Sequence, residues 1–132
     1  MPPLRSGPPT WVDVVLRAGS VVLALAIVGF SLGPAPEDPT FDLSDKLMHG
    51  LAYFSQTLAV LLAWVGRPGR DAQPFQVAVT TTLVIVSGGL LIEFAQSLVS
   101  RETEVFDALA NATGAGLGLA VWSLVSRPAR TQ

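Results

Sequence analysis

Four stretches of this chain run with almost no charge: Ala18 to Pro36, Leu47 to Gly66 interrupted only by His49, Ala72 to Ile92, and Ala108 to Ser126. A helix needs about 20 apolar residues to cross the hydrocarbon of a bilayer, whereas a barrel strand needs about half that and alternates polar with apolar positions. The runs here are continuous and of the longer kind, so they predict helices, over residues 11–33, 45–66, 75–98 and 106–126. Pro34, Pro36 and Pro39 end the first, and Ser44 is the expected N-cap of the second. Gly66, Pro68, Gly69 and Pro74 form a turn between the second and third. The fold class is all-α: a polytopic membrane protein, a four-transmembrane-helix bundle. The connecting segments are too short to fold alone, so residues 1–132 read as a single domain.

The start of the chain has the outline of a signal peptide, since Arg5 and Arg17 precede the apolar stretch Val21 to Leu32. A cut after Gly33 would leave Pro34 at the new N-terminus, so the segment is expected to stay as an uncleaved span. Its helix should begin near Trp11. Asp13 and Arg17 then stand four apart, acid first, as a solvated helix-surface pair at the edge of the membrane.

Composition sharpens the class: 50% of the residues are hydrophobic and 14% charged, against about 25% charged in a soluble domain. With no cysteine, disulfides and thiolate chemistry are excluded. There is no basic face for nucleic acid. The basic residues are unevenly placed. Arg5, Arg17, Arg67, Arg70, Arg127 and Arg130 fall on one side of the four spans, and Lys46 and Arg101 on the other. The positive-inside rule puts both termini in the cytoplasm and the loops bearing Lys46 and Arg101 outside.

Three polar clusters interrupt the apolar pattern, each at the outer end of a span: Asp45-Lys46-x-x-His49, Glu93-x-x-Gln96 with Arg101 beyond, and Asp107-x-x-x-Asn111. At 100° per residue, Asp45, His49, Tyr53 and Gln56 share an arc of about 80° on the second helix. Gly89, Glu93 and Gln96 share one on the third, and Asp107, Asn111, Gly114 and Gly118 one on the fourth. Small residues four apart allow close helix approach in lipid, so the face carrying Asp107 and Asn111 should point into the bundle. His49 and Asn111 each lie one turn below an aspartate and Glu93 lies about two turns before Arg101, which predicts that all three share one layer and form one site.

Taken together these residues resemble the VanZ-like family of small bacterial membrane proteins, over roughly residues 41–120. The family's second span opens Asp-Lys-x-x-His followed by Tyr, matching Asp45, Lys46, His49 and Tyr53. Its third ends Glu-x-x-Gln with a following Arg, matching Glu93, Gln96 and Arg101. Its fourth starts Asp-x-x-x-Asn-x-x-Gly, matching Asp107, Asn111 and Gly114. One departure is Gly50, where the family commonly has an aromatic, which predicts looser packing beside His49. The family is named after a protein linked to teicoplanin resistance, and the resemblance implies work at the cell envelope in the bacterial cytoplasmic membrane.

The chemistry these residues offer is acid–base and anion binding. His49 beside Asp45 is a candidate oriented base, with Glu93 and Asp107 as further candidate catalytic carboxylates. Asp107 alternatively serves the helix dipole, and Glu93 an ion pair with Arg101 or Lys46. Lys46, Gln96, Arg101 and Asn111 are candidate substrate-binding groups, suited to a lipid or sugar phosphate, with interhelical hydrogen bonding as the plainer role of Gln96 and Asn111. His49, Asp45, Glu93 and Asp107 match no recognised metal spacing, so neither metal nor cofactor is expected. Two functions stay open. One is a factor, enzymatic or not, whose outward pocket engages an anionic or lipid-linked envelope molecule such as a cell-wall precursor. The other is a non-catalytic module that binds a membrane-protein partner, or a glycopeptide-resistance accessory protein.

Overall fold

The computed structural model describes residues 8–33, 42–67, 74–98 and 105–126. Four helices account for nearly all of them: α1 (Trp11–Leu32), α2 (Asp42–Val60), α3 (Phe75–Leu98) and α4 (Val105–Val125), with α2 prolonged by a π-helical turn, Leu61–Val65. All four stretches are long and apolar enough to cross a membrane, and the protein is an all-α four-helix membrane bundle. Helix ends agree with the hydropathy pattern to within three residues. One differs in kind: α2 starts at Asp42, so Ser44 sits within its first turn and is not the cap.

Cross-helix bonds establish how the helices run. Arg67, just past the π-helical turn, reaches Asp13 and Thr10 at the start of α1. Gln96 near the end of α3 donates to the Ser31 carbonyl near the end of α1. Trp122 near the end of α4 donates to the Gly66 carbonyl, and His49 near the start of α2 meets Asn111 near the start of α4. Hence α2 and α4 run one way and α1 and α3 the other. The starts of α2 and α4 and the ends of α1 and α3 share one end of the bundle.

The distribution of side chains is that of a protein in lipid. Large apolar groups cover the outside, with Phe30 86% and Leu91 69% exposed, while Ser20, Gln56, Thr57, Thr82, Glu93, Gln96 and Asn111 are buried. In water such a surface would expose contiguous apolar area far beyond what soluble monomers carry. In a bilayer the same surface costs nothing, and helix association rests on close packing and interhelical polar bonds instead.

The closest approach is between α2 and α4. A Cβ on Gly114 would lie 2.9 Å from the Gly50 carbonyl carbon and collide with its oxygen, and one on Gly118 would lie 2.9 Å from the Phe54 carbonyl oxygen. The stripe of small residues on α4 is therefore the face that meets α2. Gly50 overturns the expectation of looser packing: it is where the α2 backbone comes nearest to α4. An apolar cluster of Leu61, Val65, Ala78 and Trp122, with Leu58, Leu62 and Leu119 around it, fills the opposite end of the bundle. There Gly66 N–H bonds back to the Leu61 carbonyl, the five-residue step that defines the π turn, and the Gly66 carbonyl accepts from the Trp122 indole at 2.7 Å.

Asp13 also departs from expectation. It is 2% exposed, not solvated. Thr10 and Asp13 form a reciprocal capping box at the start of α1, and the Arg67 guanidinium lies 3.4 Å from the Asp13 carboxylate and 3.0 Å from the Thr10 hydroxyl. Arg17 stacks 4.7 Å from the Trp64 ring centre and donates to the Ala63 carbonyl. Both charged residues of α1 thus bind the end of α2. The Thr-x-x-Asp spacing was a readable capping signal, whereas its ion-pair partner 54 residues later was not.

Candidate functional site

The polar ends of α2, α3 and α4 converge. His49 Nδ1 lies 3.1 Å from Asn111 Oδ1, and Asn111 Nδ2 donates to Glu93 Oε1 at 3.4 Å. One connected line therefore runs Glu93–Asn111–His49 from α3 through α4 to α2. Asn111 is 3% and Glu93 9% exposed, so the inner part of the line is closed off. The His49 side chain, at 20%, and Asp45, at 45%, open to the outside of the bundle.

Local structure explains why these groups meet. Asp45 and His49 are one turn apart on α2, with His49 Nε2 3.8 Å from Asp45 Oδ2. Asp107 and Asn111 are one turn apart on α4. Contact between the Gly50 and Gly114 backbones, one residue below His49 and three below Asn111, brings the two helices near enough for their side chains to bond directly. On α3 the arc of Gly89, Glu93 and Gln96 is buried throughout. A Cβ on Gly89 would lie 2.7 Å from the Tyr53 hydroxyl, so the absence of a side chain there admits the Tyr53 ring between α2 and α3, one turn below His49.

The amide of Asn111 orders the site. A carboxylate in this setting accepts hydrogen bonds, so Asn111 turns its nitrogen to Glu93, which leaves its carbonyl oxygen toward His49. That oxygen only accepts, so His49 Nδ1 carries the hydrogen. The ring's other nitrogen, Nε2, lies 3.8 Å from Asp45 Oδ2. One ligand atom from each of Asp45, His49 and Asp107 lies within 4.8 Å of the others.

The remaining candidates are placed as follows. Lys46 is half-buried beside Asp45 on α2. Gln96 serves as a tie between α3 and α1 through the Ser31 carbonyl. Tyr53 and Gln56 are buried, and Gln56 donates to the Ser20 carbonyl of α1 at 3.2 Å. Arg101 lies outside the described residues. A groove of about 450 Å³ between α2 and α3, lined by Val60, Gln76, Val77, Thr80, Thr81, Val84 and Ile85, is mostly apolar and shares no residue with the cluster.

Comparison with protein-family models, curated proteins and solved structures finds no match to this chain. What fold and side chains define is the class: a four-helix membrane bundle with a carboxylate–amide–imidazole line at one end.

Proposed function

We propose that this chain is a VanZ-like protein of the bacterial cytoplasmic membrane, with both termini inside, whose outward polar end engages an anionic or lipid-linked molecule of the cell envelope. The observation that supports this is the Glu93–Asn111–His49 line, which joins three helices and ends at a partly exposed imidazole. Ionisable groups within spans are costly and are retained where they pair or perform a task. The inner members of the line pair with one another, and His49 is held with its outer nitrogen toward the open end. The order of the three motifs along the chain, at three helix ends on one side of the bundle, supports the family reading. The Arg distribution supports the orientation.

In this reading Lys46 supplies charge to a phosphate or other anionic group, and Asn111 and Glu93 fix the ring of His49 so that Nε2 takes a proton from a hydroxyl of the ligand or of water. Binding to a polyprenyl-phosphate lipid in nanodiscs, measured against neutral lipid alone, tests it. The native protein retains the anionic lipid, and Lys46→Gln weakens retention. His49→Gln then separates chemistry from docking. Conversion of the bound lipid lost while retention and protein abundance persist marks His49 as chemical, and loss of a co-purifying membrane protein marks an interaction module. Equal retention of anionic and neutral lipid by the native protein would sink the proposal.

A further inference from the structure

The outer end of the line gathers the His49 imidazole and two carboxylates. With its hydrogen on Nδ1, a neutral His49 carries a lone pair on Nε2, 3.8 Å from Asp45 Oδ2, and the Asp107 carboxylate belongs to the same close group. Three electron-pair donors, contributed by two helices, converge within 4.8 Å. Carboxylates this close repel one another, and a cation between them would relieve that repulsion. The 3.8 Å between Nε2 and Asp45 Oδ2 exceeds the hydrogen-bonding range of about 2.7–3.2 Å. It is near the separation of about 3.0–3.5 Å between two ligands of one ion whose bonds are about 2.0–2.2 Å long.

We propose that Asp45, His49 and Asp107 form a divalent-cation site of one imidazole and two carboxylates, with Asn111 and Glu93 holding the imidazole in the ligating orientation. Histidine ligands ordinarily give their other ring N–H to an acceptor, which fixes the tautomer and raises ligand basicity. Asn111 Oδ1 is that acceptor, and the buried Glu93 carboxylate in turn fixes Asn111. Asp45 and Asp107 are incompletely buried, so modest side-chain rotation closes the remaining gap and water completes the coordination shell. One nitrogen and two carboxylates favour Zn²⁺ or Mn²⁺ over Cu⁺, which prefers sulfur, and over Mg²⁺ and Ca²⁺, which prefer all-oxygen sites. Spacing alone gave no such signal because the ligands come from α2 and α4. The Gly50–Gly114 contact is what brings the third beside the other two. With an ion bound, Nε2 has no lone pair left to take a proton, so the ion site and the base role of His49 are alternatives, and ion binding is measured without an envelope ligand.

The chain has one histidine, so ¹⁵N-labelled histidine reports this ring alone. Purified native protein in detergent micelles, titrated with Zn²⁺ in excess Mg²⁺, should take up one equivalent by calorimetry. The Nε2 resonance should move with saturation while Nδ1 keeps its proton. Mn²⁺ should compete for the same site. Asp107→Asn and Asp45→Asn should each weaken Zn²⁺ at least tenfold at unchanged melting behaviour, and Asn111→Ala, which removes the orienting acceptor together with the donor to Glu93, about 10–100-fold. Absence of saturable Zn²⁺ binding by the folded native protein overturns the site, as does binding that leaves the histidine resonances unmoved. Binding that appears only in Lys46→Gln also overturns it, because the ammonium would then be the resident cation. A failed lipid assay with intact Zn²⁺ binding overturns the envelope reading and leaves the ion site; the converse result does the opposite.

Discussion

Replacing Gly114 by alanine tests the packing on which the site depends. The added Cβ would meet the Gly50 carbonyl, with its carbon at 2.9 Å and Gly50 Cα at 3.0 Å, where ordinary contact begins at 3.4 Å. Both partners are helix backbone, which cannot rotate aside, so α2 and α4 must part by about half an ångström or more at this level. Overpacking of this kind costs about 1–3 kcal/mol, and a backbone neighbour puts Gly114→Ala near 3. Gly116 provides the control on the same helix. A Cβ there meets nothing within 4 Å, so Gly116→Ala should gain about 0.5–1 kcal/mol of helix preference. The two variants should differ by about 3–4 kcal/mol in unfolding by SDS titration from mixed micelles, followed by tryptophan fluorescence. Parting of the helices also stretches the His49–Asn111 bond one turn above, so the histidine ¹⁵N resonances should move in Gly114→Ala and stay in place in Gly116→Ala. Stabilities within about 0.5 kcal/mol of each other would refute the close contact. The same reasoning ranks Gly114→Leu as more disruptive than Leu117→Ala, which trims a side chain 56% exposed on the outer face.

Three further outcomes follow from the opposite end of the bundle and from the charge distribution. Asp13→Ala should destabilise by about 2–3 kcal/mol, discounted for the partial exposure of Arg67, and adding Arg67→Ala should recover part of that loss; strictly additive losses in a double-mutant cycle would mean the pair does not interact. Trp122→Phe should cost about 1–2 kcal/mol by leaving the Gly66 carbonyl without its indole donor, and an unchanged SDS midpoint would show that the bond contributes nothing. Because the chain lacks cysteine, single cysteines at Asp71 and Glu104 report sidedness: a membrane-impermeant maleimide on intact cells should label the second only, and the reverse pattern would invert the topology.

Much of the fold was legible in the residue pattern because lipid imposes a simple rule. Each span must be apolar and satisfy its own backbone bonds, so hydropathy locates helices α1 to α4 to within a few residues. The inward faces of α3 and α4 were legible for a related reason. Gly114 and Gly118 mark close approach, and Glu93 and Asn111 cannot face lipid without penalty. Ser44 failed as a cap because a serine near a helix start fits either the cap or the first turn, and only the backbone path beyond it distinguishes the two.

Pairing between helices was decided by the tertiary structure alone. Asp13 has a basic residue four positions on, and local spacing favours that neighbour, yet the return of α2 places Arg67 at the buried Asp13 carboxylate. Gly50 looked like a defect from its own helix and is a contact surface once α4 lies against it. The motifs named His49, Asn111, Asp45 and Asp107 as polar residues at helix ends. That Asn111 would bridge Glu93 to His49, and that Asp107 would stand close to Asp45 and His49, depends on the depth and rotation of three helices. Periodicity determines which face of a helix is polar. The backbone contact between Gly50 and Gly114 determines which polar faces meet, because side chains reach only a few ångströms and that contact sets the separation they must span.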